Sequence, residues 1–175
     1  MVVPTSSRAD YLEVTLASLA AQDLDGEYEV IAIDDGSRDR TPAVIEAAGA
    51  RSVRRDEPHG PNAARNTGVA TAEADLVAMV DDDVWAPPGW LRALVDGGQR
   101  YPDAGALGGP IRARFEGPAP RSYGREQPPI TSLDLGPEDR PAEFVWSVNL
   151  AIRRAAFERI GPFDERFSTG GDEED

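Results

Sequence analysis

Three consecutive carboxylates, Asp81-Asp82-Asp83, follow directly on a run of five apolar residues, Leu76 to Val80. Adjacent carboxylates repel one another, and in isolation one of them would tend to take up a proton. A divalent cation removes that conflict. Carboxylate oxygens suit Mg²⁺ or Mn²⁺, and Mg²⁺ takes one or two protein carboxylates, filling its other positions with water and phosphate oxygens. The stretch therefore points to a metal–phosphate site, against the plainer reading of a solvated acidic turn. Two more acidic groups stand in the chain. Asp34-Asp35-Gly36-Ser37 ends a second apolar run, and Gly170-Gly171-Asp172-Glu173-Glu174-Asp175 closes the sequence.

The elements around these residues can be placed from the pattern. An unbroken apolar run reads as a strand buried on both faces. Leu76–Val80 is such a run, and 28–33, Tyr28-Glu29-Val30-Ile31-Ala32-Ile33, reads as a second strand. Val2-Val3 forms the tail of a first strand, with Pro4 to Ser7 as a loop. Ser7-Arg8-Ala9-Asp10 has the hydroxyl-x-x-acid form of a helix start, and Leu12, Leu16, Leu19 and Ala20 give that helix one apolar face. Thr41-Pro42 opens a helix to about Ala48, and Arg51 to Arg55 is a weak strand. Asn62 caps a helix through about Ala72. Pro87-Pro88-Gly89 starts another with Trp90, Leu91, Leu94 and Val95 on its apolar side. Ala104 to Leu107 reads as a strand. Between Arg114 and Pro141 no period holds, as in segments that carry function. Phe144 to Ile152 is again extended and apolar, and Arg154 to Ile160 is a short helix ended by Gly161-Pro162.

Strand and helix alternate, which predicts an α/β fold, a mostly parallel Rossmann-like sheet with helices on both faces. Ligands of such sheets bind beyond the carboxyl ends of the strands. Asp34-Asp35 and Asp81 to Asp83 then share one edge and one crevice, which favours the metal–phosphate reading. The 175 residues, 40% hydrophobic and 7% aromatic, suffice for one domain with a core. A formal charge of −14 argues against a nucleic-acid polymer or an anionic membrane surface as partner. The absence of Cys excludes disulfides and thiol chemistry. Val2-Val3 is short for an opening strand, since strands run about five or six residues. The acidic end stops where a new element would begin, so the chain reads as incomplete at both ends. One domain, 1–175, is expected, with a nucleotide-binding part over 1–112 and an acceptor-side part over 113–175.

Several pieces in order resemble the family 2 glycosyltransferases of the GT-A fold. They are Val2-Val3-Pro4-Thr5 before a helix, Asp34-Asp35-Gly36-Ser37 with Asp39 and Thr41, Ala64-Arg65-Asn66-x-Gly68, and Asp81-Asp82-Asp83, the place of the family's DXD motif. Asn149-Leu150-Ala151-Ile152-Arg153-Arg154, Gly161-Pro162-Phe163-Asp164-Glu165 and the acidic end complete them. Two departures stand out: Ser6-Ser7 replaces an aromatic residue and Asn, and Asp172-Glu173 replaces a Glu-Asp pair. The resemblance implies a nucleotide-sugar donor, UDP-sugar being the commonest, Mg²⁺ or Mn²⁺, and usually inversion. It implies metal binding by Asp83 with Asp81, and donor binding by Pro4, Thr5, Asp35, Arg65, Asp81 and Asp82. Trp146 and Asn149 fall on the acceptor side, and Glu173 or Asp172 is the general base. The acceptor, a carbohydrate, lipid or protein, is not named by the sequence. A role in cell-wall or polysaccharide synthesis follows from the resemblance, as does a cytoplasmic location, with membrane association through downstream segments as the variant. A metal-dependent phosphoryl transferase is the first rival. It needs Thr or Val two residues past its second Asp, where Trp85 stands. A nucleotidyl transferase needs a Gly-rich first loop, and Pro4 to Arg8 has no Gly. A non-catalytic nucleotide- or sugar-binding module is the third.

Overall fold

The computed structural model describes residues 1–115, 117–118 and 132–167. Six strands form one sheet in the order β3-β2-β1-β4-β6-β5. They are β1 (Val2–Thr5), β2 (Ile31–Asp35), β3 (Arg51–Arg55), β4 (Leu76–Met79), β5 (Ala106–Gly108) and β6 (Leu150–Arg153). β1 to β4 are mutually parallel, and β6 runs against both β4 and β5. The expected mostly parallel α/β sheet is present, with one reversed strand inserted between β4 and β5.

Five helices cover it: α1 (Ala9–Ala20), α2 (Thr41–Ala47), α3 (Pro61–Thr71), α4 (Trp90–Arg100) and α5 (Arg154–Ile160). The strand period of two divides the apolar residues between the faces. Val3, Ala32, Ala78 and Val80 pack with Leu12, Leu16 and Leu19 of α1, Val44 and Ile45 of α2, and Leu91 and Leu94 of α4. Val2, Ile31, Ile33, Val77 and Met79 pack with Ala64 and Val69 of α3 and Ala156 of α5. Both faces are therefore dry, which is why β1, β2 and β4 read as continuous apolar runs.

Three local features differ from expectation. Pro4 lies in β1, paired with Ile33, not in a loop. It is tolerated because β1 meets β4 only at Val2↔Met79, so the missing N–H falls where that ladder has ended. Strand β2 runs later than the pattern suggests and takes Asp34 and Asp35 into the sheet. Ser7 does not cap α1. It has φ 52°, its N–H donates to Ser37 Oγ and its hydroxyl accepts from the Arg38 N–H. The carboxylate of Asp39 instead accepts from Ala9 N at 3.2 Å and Thr41 N at 3.0 Å, so one side chain serves the N-termini of both α1 and α2. The Thr41 side chain first, and then these N–H groups, hold the Asp39 carboxyl below the usual carboxylate range.

Helix α3 sits unusually close to β1. A Cβ at Gly68 would overlap the Val2 side chain, so only glycine permits the approach. That approach brings Arg65, one turn earlier, to the carboxyl end of β4. Among the described residues no helix is long and apolar enough to cross a membrane.

Candidate active site

The carboxyl ends of β2, β1 and β4 lie side by side, as the order β2-β1-β4 requires. Each of the three Asp residues after β4 turns to a different partner. Asp81 accepts from Arg65 Nη2 at 2.7 Å, and Arg65 Nη1 donates to Asn62 Oδ1 at 3.1 Å. Asp82 accepts from the Thr5 hydroxyl at 2.7 Å, with Arg8 Nε 3.5 Å from its other oxygen. Asp83 accepts from Arg8 Nη2 at 2.8 Å.

Their exposure differs as much as their partners. The Asp82 side chain is 7% exposed, whereas those of Asp81 and Asp83 are 34% and 44% exposed. Burial pushes the Asp82 carboxyl up, against the Thr5 hydrogen bond and the Arg8 charge that pull it down. Asp82 is expected from the sequence to help bind the donor, and here both of its oxygens have protein partners. Its oxygens face β1 and the Arg8 guanidinium, and it supports the turn from beneath. Thr15 of α1 fixes the same turn: its hydroxyl donates toward the Asp82 and Val84 carbonyls and accepts from the Val84 N–H. Ser18 of α1 and Gln22, two residues past its end, hold Ala86 and Leu91 in the same way. One helix face thus fastens the whole segment from Asp82 to α4.

Asp35 is 4% exposed. Its carboxylate accepts from the N–H groups of His59, at 3.0 and 3.1 Å, and Gly60, at 2.8 Å, and Arg55 Nε lies 3.4 Å away. It anchors the loop that enters α3, and a nucleobase would share its oxygens with those backbone donors. Gly36 beside it has φ +73° and leaves no room for a Cβ against Pro58. Asp34, fully buried, accepts from Ser37 N at 2.9 Å and pairs with Arg54.

On the acceptor side, Trp146 is 42% exposed and meets Phe144 edge to face at 5.8 Å between centroids. Asn149, the other residue expected on the acceptor side, accepts through its amide oxygen from Trp90 Nε1 at 2.9 Å and donates through its amide nitrogen to the Pro110 carbonyl at 3.1 Å. Both ends of the amide are spent tying α4 to the strand after it. Trp85, 51% exposed beside Asp83, carries the Arg114 guanidinium 5.6 Å from its ring centroid. Glu173 and Asp172 lie outside the described residues.

The expected cap at Asn62 is not formed, since Gly60 is the N-cap of α3 and Asn62 lies inside the helix, and the role that Asn62 and Asn66 do play was missed. Asn62 Nδ2 donates to the carbonyls of Asp164 and Phe167. Asn66 donates to the Phe163 carbonyl and accepts from the Phe163 N–H. The turn after α5 is thereby clasped to α3. The available signal was the Asn-x-x-Arg-Asn spacing, which places all three polar residues on one helix face.

Among the described residues no three His, Cys, Asp or Glu side chains converge on one point. A metal cage built wholly of protein is therefore absent from them. Asp81 and Asp83, oxygen donors at the open edge, fit a Mg²⁺ or Mn²⁺ ion that takes the rest of its shell from phosphate and water.

The model of the glycosyl transferase family 2 matches residues 1–161. The chain belongs to that family. It is 31% identical over 185 residues to the pre-mycofactocin glycosyltransferase of Mycobacterium tuberculosis, an alignment that covers 98% of this chain and 37% of that protein. The fold matches S. aureus TarS 1-349 in complex with UDP (TM-score 0.74, 22% identity, 96% of this chain and 50% of that one). It equally matches the mannosyltransferase PcManGT of Pyrobaculum calidifontis in complex with GDP-Man and Mn²⁺ (TM-score 0.72, 22% identity, 94% and 46%). The sheet is thus that of GT-A glycosyltransferases, and the chain spans well under half of its curated relative.

Proposed function

We propose that this chain carries the donor site of a glycosyltransferase that moves a sugar from a nucleotide-sugar to an acceptor hydroxyl with inversion, aided by a divalent ion. The observation that carries the reading is the geometry after β4. Asp83 and Asp81 are open to solvent at the carboxyl edge, Asp82 is locked beneath them, and two arginines flank the group. The nucleotide and Mn²⁺ complexes of proteins with the same fold support it.

Asp83 and Asp81 would hold Mg²⁺ or Mn²⁺, which when bound acts as a Lewis acid toward the departing diphosphate. Pro4 and Thr5 form the floor of the nucleotide pocket, and Thr5 also orients Asp82. Asp35 accepts from the nucleobase, most commonly uracil. Arg65, 9% exposed and with Nε unpartnered among the described residues, adds positive charge beneath the diphosphate. Trp146 borders the acceptor, a carbohydrate, lipid or protein. A carboxylate of the acidic end, Glu173 or Asp172, takes the proton of the attacking hydroxyl, because a neutral hydroxyl is a weak nucleophile.

Calorimetry of UDP and GDP binding with and without Mn²⁺ tests the proposal, and divalent-dependent binding is expected. Equal affinity in EDTA for every nucleoside diphosphate would refute it. Faster hydrolysis of plain phosphate esters than of nucleotide-sugars would favour the phosphoryl-transfer rival. Glu173→Gln is expected to cut turnover about a hundredfold or more while donor binding stays nearly unchanged. Full activity in that variant with an inactive Asp172→Asn would move the base to Asp172.

A further inference from the structure

Asp83 already has a cation in this structure, and that cation belongs to the chain. Arg8 Nη2 donates to Asp83 Oδ2 at 2.8 Å, Arg8 Nε lies 3.5 Å from Asp82 Oδ1, and the guanidinium sits 5.0 Å from the centroid of the Tyr11 ring. The Arg8 backbone is held firmly, since Ser7 before it is tied to Ser37 and Arg38 and Ala9 after it donates to Asp39. Its side chain is free by comparison, 44% exposed, as is that of Asp83. The other arginine of the cluster is the reverse. The Arg65 side chain is buried and pinned between Asn62 and Asp81. Of the two guanidiniums only that of Arg8 is itself open to solvent, so only Arg8 can let go of its exposed partner, Asp83, without leaving a buried guanidinium unpaired.

Charge adds the second half of the argument. Three carboxylates against two guanidiniums leave the cluster one net negative charge, to which a diphosphate would add more. A divalent ion entering beside Asp83 would meet the Arg8 guanidinium within hydrogen-bond distance of its ligand. A phosphate oxygen can take the same planar donors that Asp83 now takes.

We infer that Arg8 is an exchangeable counter-cation: it occupies Asp83 in the donor-free protein and passes to the diphosphate when a nucleotide binds, freeing Asp83 for the metal. The inference rests on the donor-site reading above and adds to it a residue and an order. Nucleotide and metal each remove an obstacle to the other, so they must bind with positive and reciprocal coupling.

Mn²⁺ titrated into the chain, with free Mn²⁺ followed by electron paramagnetic resonance, tests this with and without saturating UDP. Wild type, Arg8→Gln and Arg8→Lys are compared, each checked for an unchanged melting temperature. In the wild type UDP is expected to tighten Mn²⁺ about tenfold or more, within the range usual for coupled sites. In Arg8→Gln, Mn²⁺ alone should bind several-fold tighter than to the wild type, and the tightening by UDP should fall to about threefold or less. Arg8→Lys, which keeps the charge, should stay closer to the wild type. Intact coupling in the wild type with the same Mn²⁺ affinity and the same coupling in Arg8→Gln would overturn this inference alone. No binding of UDP with Mn²⁺ to the wild type would overturn the donor-site reading and this inference with it.

Discussion

Two strands of one sheet end in carboxylates, and in the sequence the two endings look equivalent. In the fold they are opposites. Asp34 and Asp35 are buried and accept from backbone N–H groups of Ser37, His59 and Gly60, with Arg54 and Arg55 outside them. Among the described residues Asp81 and Asp83 accept only from arginine side chains, and they remain partly open. A backbone donor cannot leave without unfolding its loop, whereas a guanidinium on a flexible stem can. The partner of a carboxylate, more than the carboxylate itself, thus separates an anchor from a site that can exchange ligands.

The comparison breaks or holds on what each substitution disturbs. The largest effect is expected from Asp83→Ala. Metal assistance is worth several kcal/mol of transition-state stabilisation, so turnover should fall by more than about a hundredfold, while the melting temperature of the variant stays within a degree or two of the wild type, as for surface changes. Asp35→Ala should do the converse. Two N–H groups and Arg55 lose their acceptor, a cost of about 2–4 kcal/mol, read as a drop in melting temperature of roughly 5–15 °C for a chain of this size. If Asp35→Ala melted like the wild type, the anchor half of the comparison would be lost. Nucleotide binding by any folded fraction should weaken by about 1–2 kcal/mol with metal dependence retained, as for a hydrogen bond to a charged group.

Smaller effects sharpen the frame around both regions. Gly68→Ala forces a Cβ against Val2 and should cost about 1–3 kcal/mol, as overpacking does, more than offsetting the roughly 1 kcal/mol that alanine gains in a helix. An unchanged or raised denaturation midpoint would show that α3 can move off the sheet at no cost. Asp39→Ala should cost about 1 kcal/mol, the usual value of a lost helix cap. Because the native Asp39 carboxyl is held below its ordinary value of 3.8, its stabilising part is present above that pH and disappears as the pH falls through the lower native value. Denaturant titrations at pH 7 and near pH 3 should therefore show a smaller gap between wild type and Asp39→Ala at the acid end.

Much of this was legible because the strongest signals are local. The run ending at Val80, the helix at Thr41-Pro42 and the short helix Arg154–Ile160 lie where the pattern places them. Direction and long-range pairing were not legible. The extended stretch before Arg154 carries nothing that marks β6 as antiparallel, because a residue buried on both faces looks alike either way. Ser7 has the form of a cap, yet Asp39, thirty residues on, takes the role. Asn62 and Asn66 look like ordinary helix-surface residues until the turn at 163–167 is laid on them. At the site itself the spacing identified the Asp cluster but not its division of labour. Which of three adjacent carboxylates is buried depends on Thr5, Thr15 and Arg8, all from the first two elements of the chain.

The position of β6 bears on how the chain can be assembled and cut. Among the described residues β5 has no sheet neighbour except β6, which follows it by about 40 residues. At a synthesis rate of roughly 5–20 residues per second, β5 and the edge of β4 wait some seconds for the strand that joins them. During that interval β4 presents an open apolar edge, the kind of surface on which chaperones act and chains mispair. A piece ending near residue 112 would carry that exposed edge permanently. A permuted or split version of the protein would have to keep β4, β6 and β5 on the same fragment.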